Sequence, residues 1–139
     1  MSNILTSSVL TRVSNAAAAG TSNINCTSVD MAGYDQVMFI ASFGTLTATQ
    51  GTGMKLQHSD DNSSFSDVTS GATAAMADGD SNKLLVAVYS RPSKRYVRAV
   101  ITRGTANAVV DGVIALQSRA RSQPVTQSSS VSASVTVTI

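Results

Sequence analysis

The residues best equipped for chemistry lie in one stretch, "KLQHSDDNSSFSDV", residues 55–68. It holds the single histidine, His58, and three of the eight acidic residues, Asp60, Asp61 and Asp67. Histidine beside carboxylates is the raw material of a metal site or an acid–base pair. A calcium loop needs oxygen ligands at alternating positions, a central glycine and a late glutamate. Asp60, Asn62 and Ser64 alternate, but Phe65 follows where glycine is wanted, and the sequence has no glutamate. A zinc site needs three or four ligands; His58 is alone and Cys26 is distant in sequence. An acid–base pair needs carboxylates held in a pocket that shifts their pKa. Asp60 and Asp61 are instead adjacent in a polar run that reads as solvated. A hairpin tip accounts for more of the residues. "MKLQHS" reads as a strand, and Asp and Asn side chains bond back to their own backbone and accept unusual dihedrals. Phe65 is then expected to return apolar surface to the core.

Other constellations are weaker still. No G-x-S-x-G elbow accompanies the abundant serines, so a Ser–His–Asp hydrolase has no support. "GTLTATQGTG" is rich in glycine but lacks the lysine and the following helix of a phosphate loop. Cys26 has no partner for an internal disulfide and no basic flank to activate it, so a buried structural thiol is expected. Arg91, Lys94, Arg95, Arg98 and Arg103 gather around one turn and strand, and Arg119 and Arg121 close the last core strand. A nucleic-acid site would add stacking aromatics, yet aromatics are 4% of the chain and tryptophan is absent. These arginines are expected to pair with Asp or to face an acidic partner surface. The reading is therefore not an enzyme, with no catalytic, cofactor-binding or metal residues, no cofactor and no nucleic-acid partner.

The elements that would position these residues are strands. Ser, Thr, Ala, Val and Gly dominate, which favours strands over helices. Residues 4–13 are β-prone, with Leu5, Val9 and Val13 on one face. "SNAAAAGTSN" reads as a loop. "INCTSVDM" alternates, with Ile24, Cys26 and Ser28 on one side. "QVMFIASFG", bounded by Gly33 and Gly44, reads as a central strand buried on both faces. "MKLQHS" places Met54, Leu56 and His58 together. "KLLVAVYS" is a strand. "RYVRAVITRG" sets Tyr96, Arg98, Val100 and Thr102 against Val97, Ala99 and Ile101. Gly112 inside "VVDGVIALQSRAR" marks a bulge or a close backbone approach. Roughly eight short strands at turn spacing predict an all-β, single-domain antiparallel β-sandwich, jelly-roll-like, with extended terminal segments.

The domain plan is a core over residues 1–121, including an N-terminal strand, then a Ser/Thr-rich linker and C-terminal strand or arm over 122–139. "VSASVTVTI" alternates Val131, Ala133, Val135, Val137 and Ile139 with Ser and Thr. A strand behind a flexible linker is suited to pair outside its own core. Charged residues are only 13% of the chain, about half the usual share. So uncharged a surface suggests a life packed against neighbours. The opening residues lack a signal-peptide pattern, and no apolar run approaches the roughly 18 residues of a membrane helix. We therefore expect synthesis in the cytoplasm, use there or in a particle assembled there, and no membrane partner.

Two stretches also carry a resemblance. "LQHSDDNSSFSDV" is similar to a strand–turn–strand signature of small structural proteins of tailed bacteriophages. "VDMAGYDQVMFIASFGTL" is similar to a segment of the same proteins in which an acidic residue and a Gly-Tyr-Asp step lead into a buried strand ending in Phe-Gly. Together they cover about a quarter of the chain, and size and strand pattern resemble the capsid cement, or decoration, proteins of the Bordetella-phage kind. The resemblance implies a virion protein made in the bacterial host. It implies a position on the capsid exterior, bound to the major capsid protein and bridging its subunits. It carries no catalytic residues. We expect a homodimer, with a trimer open, and partner contacts through Arg119, Arg121, Val135, Val137 and Ile139. The alternatives are a phage tail or connector protein, or a receptor- or carbohydrate-binding sandwich.

Overall fold

A computed structural model of the chain describes residues 3–138. A short helix α1 (Ile4–Ser7) is followed by β1 (Val9–Ser14), β2 (Ala17–Gly20), β3 (Ile24–Asn25), β4 (Val29–Asp30) and β5 (Gln36–Leu46). Then come β6 (Gly53–Ser59), β7 (Ser66–Ala72), β8 (Leu84–Ser90), β9 (Tyr96–Thr102) and β10 (Ala108–Ser118). One sheet, A, runs β1-β10-β5-β8, with β2 also on β10; the other, B, runs β3-β9-β6-β7, with β4 also on β9.

All pairings are antiparallel, and they nest. β1 pairs with β10, β3 and β4 with β9, β5 with β8, and β6 with β7. The chain is thus one long hairpin rolled up, so that β10 also meets β5 and β9 also meets β6. That is the strand order of a jelly roll. The core lies between the sheets, built from Val37, Phe39, Ala41 and Phe43 of β5, Met54 and Leu56 of β6, Val97, Ala99 and Ile101 of β9, and Val110, Val113 and Ala115 of β10. These sit at every second position because strand side chains alternate between faces, except that the irregularity at Gly112 puts Val110 and Val113 three apart.

Several expectations are corrected. Residues 4–7 are helical, not part of a strand. Asn3 caps them: its Oδ1 accepts from the Leu5 and Thr6 N–H groups, while the Thr6 Oγ accepts from the Asn3 N–H. This reciprocal cap overrides the β-prone composition. The alanine run forms a strand on β10, with Gly20 beside Ala108 and Ala17 beside Val110. Residues 26–28 interrupt the "INCTSVDM" strand, although Cys26 is buried as expected. Burial holds its thiol pKa up at about 11, against a smaller lowering by Arg98.

β5 is buried on its inner face alone; Met38 and Ile40 on its outer face are half-buried. An antiparallel sandwich leaves the outer face of each sheet uncovered. Gly112 does mark a bulge: the β10–β5 register shifts between Val110 and Gly112. The closing segment, residues 131–138, carries no strand.

Candidate interaction surfaces

The His58 region is a hairpin tip. Asn62 adopts φ 60°, in the left-handed range that turn residues accept. Asp61 organises the turn: its Oδ1 accepts from the Ser63 and Ser64 N–H groups at 2.9 Å each and from the Ser59 hydroxyl at 2.8 Å. The Ser64, Ser59 and Ser63 donors, in that order, hold its pKa down to about 2. Asp67 takes the Gln57 amide at 2.8 Å and the Lys55 ammonium at 3.2 Å, and Asp60 lies 3.7 Å from Lys94. His58 meets none of the three; its Nδ1 shares a 3.0 Å hydrogen bond with the Tyr89 hydroxyl across the open side of the sandwich. Phe65 does not reach the core. It lies beneath the Arg98 guanidinium, 4.1 Å from ring centre to Cζ, on the outside of sheet B. The Arg98 Nε and Nη2 both donate to Gln57 Oε1. Among the described residues, no three of His, Cys, Asp and Glu converge as metal ligands would.

The basic residues divide among three places. Arg91, Lys94, Arg95 and Arg121 line a cleft of about 480 Å³ at one end of the sandwich, with Met31, Tyr34 and Asp35. The β4–β5 loop, the β8–β9 turn and the exit of β10 converge there, because those three connections share that end of the rolled hairpin. Two of the cations are pinned: Arg95 grips Asp30 with two bonds of 2.9 and 2.8 Å, and Arg121 reaches Asp35 at 3.0 Å. The Arg95 bonds hold the Asp30 carboxyl below its ordinary pKa. Arg91 is exposed and makes no ion pair among the described residues. Arg98 belongs to the Phe65 stack instead. Arg103 is at the far end, where its guanidinium donates to the Ser22, Ala18 and Ala108 carbonyls. Arg119 is exposed with φ 57°, two residues from Arg121.

The segment expected as a free linker is fastened to β1 as far as residue 130. The Val125 N–H bonds the Thr6 carbonyl at 3.0 Å. Gln127 is the main clasp: its Oε1 accepts from the Leu10 N–H, and its amide donates to the Leu5 and Ser8 carbonyls. The Ser128 hydroxyl donates to the Leu10 carbonyl, and the Ser130 hydroxyl accepts from the Arg12 N–H. The outward N–H groups of Leu10 and Arg12 and the Leu10 carbonyl are thus satisfied by side chains, which blunts that sheet edge. Val131 then rests in a shallow groove with Leu10 and Ile114. Beyond it Val135 and Val137 stand 80% and 78% exposed. Ile139 lies outside the described residues.

A surface missed in the sequence is the outer face of sheet A. Strand register aligns Leu10, Leu116, Met38 and Val88 in one row, and Ile114, Ile40 and Val86 in the next. Leu84, Val86, Val88 and Ile114 are exposed. The unbroken apolar runs of β5 and β8 were its sequence signal, since the inner face needs only every second residue.

These features define an all-β jelly-roll sandwich with a basic end cleft, an apolar outer sheet face and an exposed C-terminal segment. No family model matches the sequence, and no curated protein matches it either. Among solved structures, the PBSX exported protein XepA is similar, with a TM-score of 0.54 and 18% identity over 99% of this chain and 46% of that one. The chain spans less than half the length of that protein, and at this identity the likeness is one of fold.

Proposed function

We propose that the protein is a structural component of a tailed-phage particle. In this reading it sits on the outer surface of the capsid and bridges neighbouring major capsid protein subunits. The observation that carries the reading is the C-terminal segment: anchored through Gln127 to β1, then exposed beyond Val131, with Val135 and Val137 at alternating positions. A segment that is apolar on one side and tied at one end can add to a neighbour's sheet edge through main-chain hydrogen bonds. The low charge of the chain, the apolar outer face of sheet A and the phage protein XepA as a fold relative support the same reading. The basic cleft, with Arg91 unpaired and Arg121 in its lining, suits an acidic patch on the shell, and the exposed Arg119 lies two residues from Arg121 in sequence. Many such contacts of modest strength around a closed lattice add up by multivalency and oppose separation of the subunits. Self-association as a homodimer fits this role, and a trimer serves it equally.

Binding to shells that lack the protein tests the proposal. Purified protein should cosediment saturably with them. Deleting residues 131–139, or replacing Arg91 and Arg121 with Glu, should weaken that binding at least tenfold with the fold intact. Undiminished binding of both variants would remove the proposed surfaces from the account. A second reading, a phage tail or connector protein, is served equally by the fold likeness to the PBSX protein XepA. Assembly of the pure protein into tubes or rings would favour that reading.

A further inference from the structure

We infer that β8 is a self-pairing edge, through which two copies of this chain join sheet A to sheet A, antiparallel about a twofold axis. The inference names a surface for the proposed self-association and rests on that part of the reading; shell binding is measured separately, so either can fail alone.

The sandwich has four sheet edges, and three are blunted. β1 is capped by the side chains of Gln127, Ser128 and Ser130, and β2, which shares that side of β10, is only four residues long. On β9 the edge strands β3 and β4 are two residues each. β7 is polar, carries Asp67, and breaks register with β6 between Lys55 and Gln57. Such devices keep edges from pairing.

β8 has none of them. Its seven residues, "LLVAVYS", include no charge and no proline, and its register with β5 is unbroken from Ser90 opposite Gln36 to Leu84 opposite Ser42. The Phe43 N–H bonds the Lys83 carbonyl, and the Arg91 N–H bonds the Asp35 carbonyl. Antiparallel pairing alternates, so the odd-numbered residues between them bond β5. The N–H and C=O groups of Leu84, Val86, Val88 and Ser90 therefore point to the open edge. Residues 70–73 face β8 across a groove of about 320 Å³, and no backbone hydrogen bond joins β7 to β8 among the described residues.

A second copy fits this edge by charge. The loop before β8 carries Asp78 and Asp80 against one Lys83, and the turn after it carries the unpaired Arg91. Antiparallel self-pairing sets the acidic end of each copy beside the basic end of the other. The strand between has no charge to repel its twin. Seven residues span about 24 Å, and the sheets lie about 10 Å apart. That wall is well short of the ~800 Å² per partner of a standard interface. The dimer is therefore reversible, with its mass rising with concentration.

Sedimentation should show the mass rising from 14.3 kDa toward twice that value. In the same samples the Val86 and Val88 amides should become at least tenfold better protected from hydrogen exchange. Val86→Pro deletes an outward N–H that β5 does not use, and should leave circular dichroism unchanged while raising the dimer dissociation constant at least tenfold. Val86→Thr keeps the N–H and should pair as the parent does. A monomer at all concentrations, amides indifferent to concentration, or protection lost on deleting residues 131–139 would each overturn the inference. If Val86→Pro does not fold, the exchange measurement on the parent chain decides alone.

Discussion

Asp61 shows how a side chain that looks catalytic in sequence is spent on conformation. Its carboxylate is fixed by three donors within its own turn, and its lowered pKa follows from them. A carboxyl held below its unfolded value of 3.8 stabilises the fold above that pH and loses its effect as pH falls through about 2. Asp61→Ala should therefore lower the melting temperature at neutral pH. It should also flatten the part of the melting curve's pH dependence that lies between about 4 and 2. Asp60→Ala, which removes only a 3.7 Å surface pair, should change melting little. The turn was legible because Asp and Asn act on their nearest backbone neighbours. The stacking of Phe65 under Arg98 was not, because it depends on β6, β7 and β9 lying side by side.

Elements separate along the same line of local against distant causes. β6 and β9 were readable from strict alternation, and the Gly112 bulge from one glycine in an apolar strand. The helix at residues 4–7 and the strand Ala17–Gly20 were misread, the first through a cap and the second through pairing with β10, about 90 residues away. The clasp of residues 125–130 had no local signal at all, since its bonds join positions more than 115 apart. Gln127→Ala removes three bonds from that clasp at a half-buried site. It should cost about 1–2 kcal/mol in urea unfolding, whereas deletion of residues 131–139 should cost less than about 0.5 kcal/mol. Gly104, in the β9–β10 turn, lies so close to Gln50 that an added Cβ would sit 2.0 Å from its carbonyl oxygen. Backbone must move to admit it, so Gly104→Ala should destabilise by about 2–3 kcal/mol in the same assay.

At the scale of the whole molecule, each surface available for contact has a different origin. The basic cleft comes from loops meeting at one end of the roll, the apolar face from β5, β8 and β10 runs more hydrophobic than their core role requires, and the exposed valines from a chain that continues past its clasp. A free monomer gains nothing from exposing all three, whereas a subunit packed in a particle does. Arg119 and Arg121 were found in sequence beside the last strand. Arg91, Lys94 and Arg95, which share the cleft with Arg121, were grouped in sequence with Arg98 and Arg103, which the fold sends elsewhere, because a charge cluster in sequence does not reveal which loops share an end. The most direct measurement is electron microscopy of phage shells assembled with and without this protein. The account predicts added density on the outer surface, seated over contacts between neighbouring major capsid subunits. Identical shells, or density confined to the tail, would contradict it.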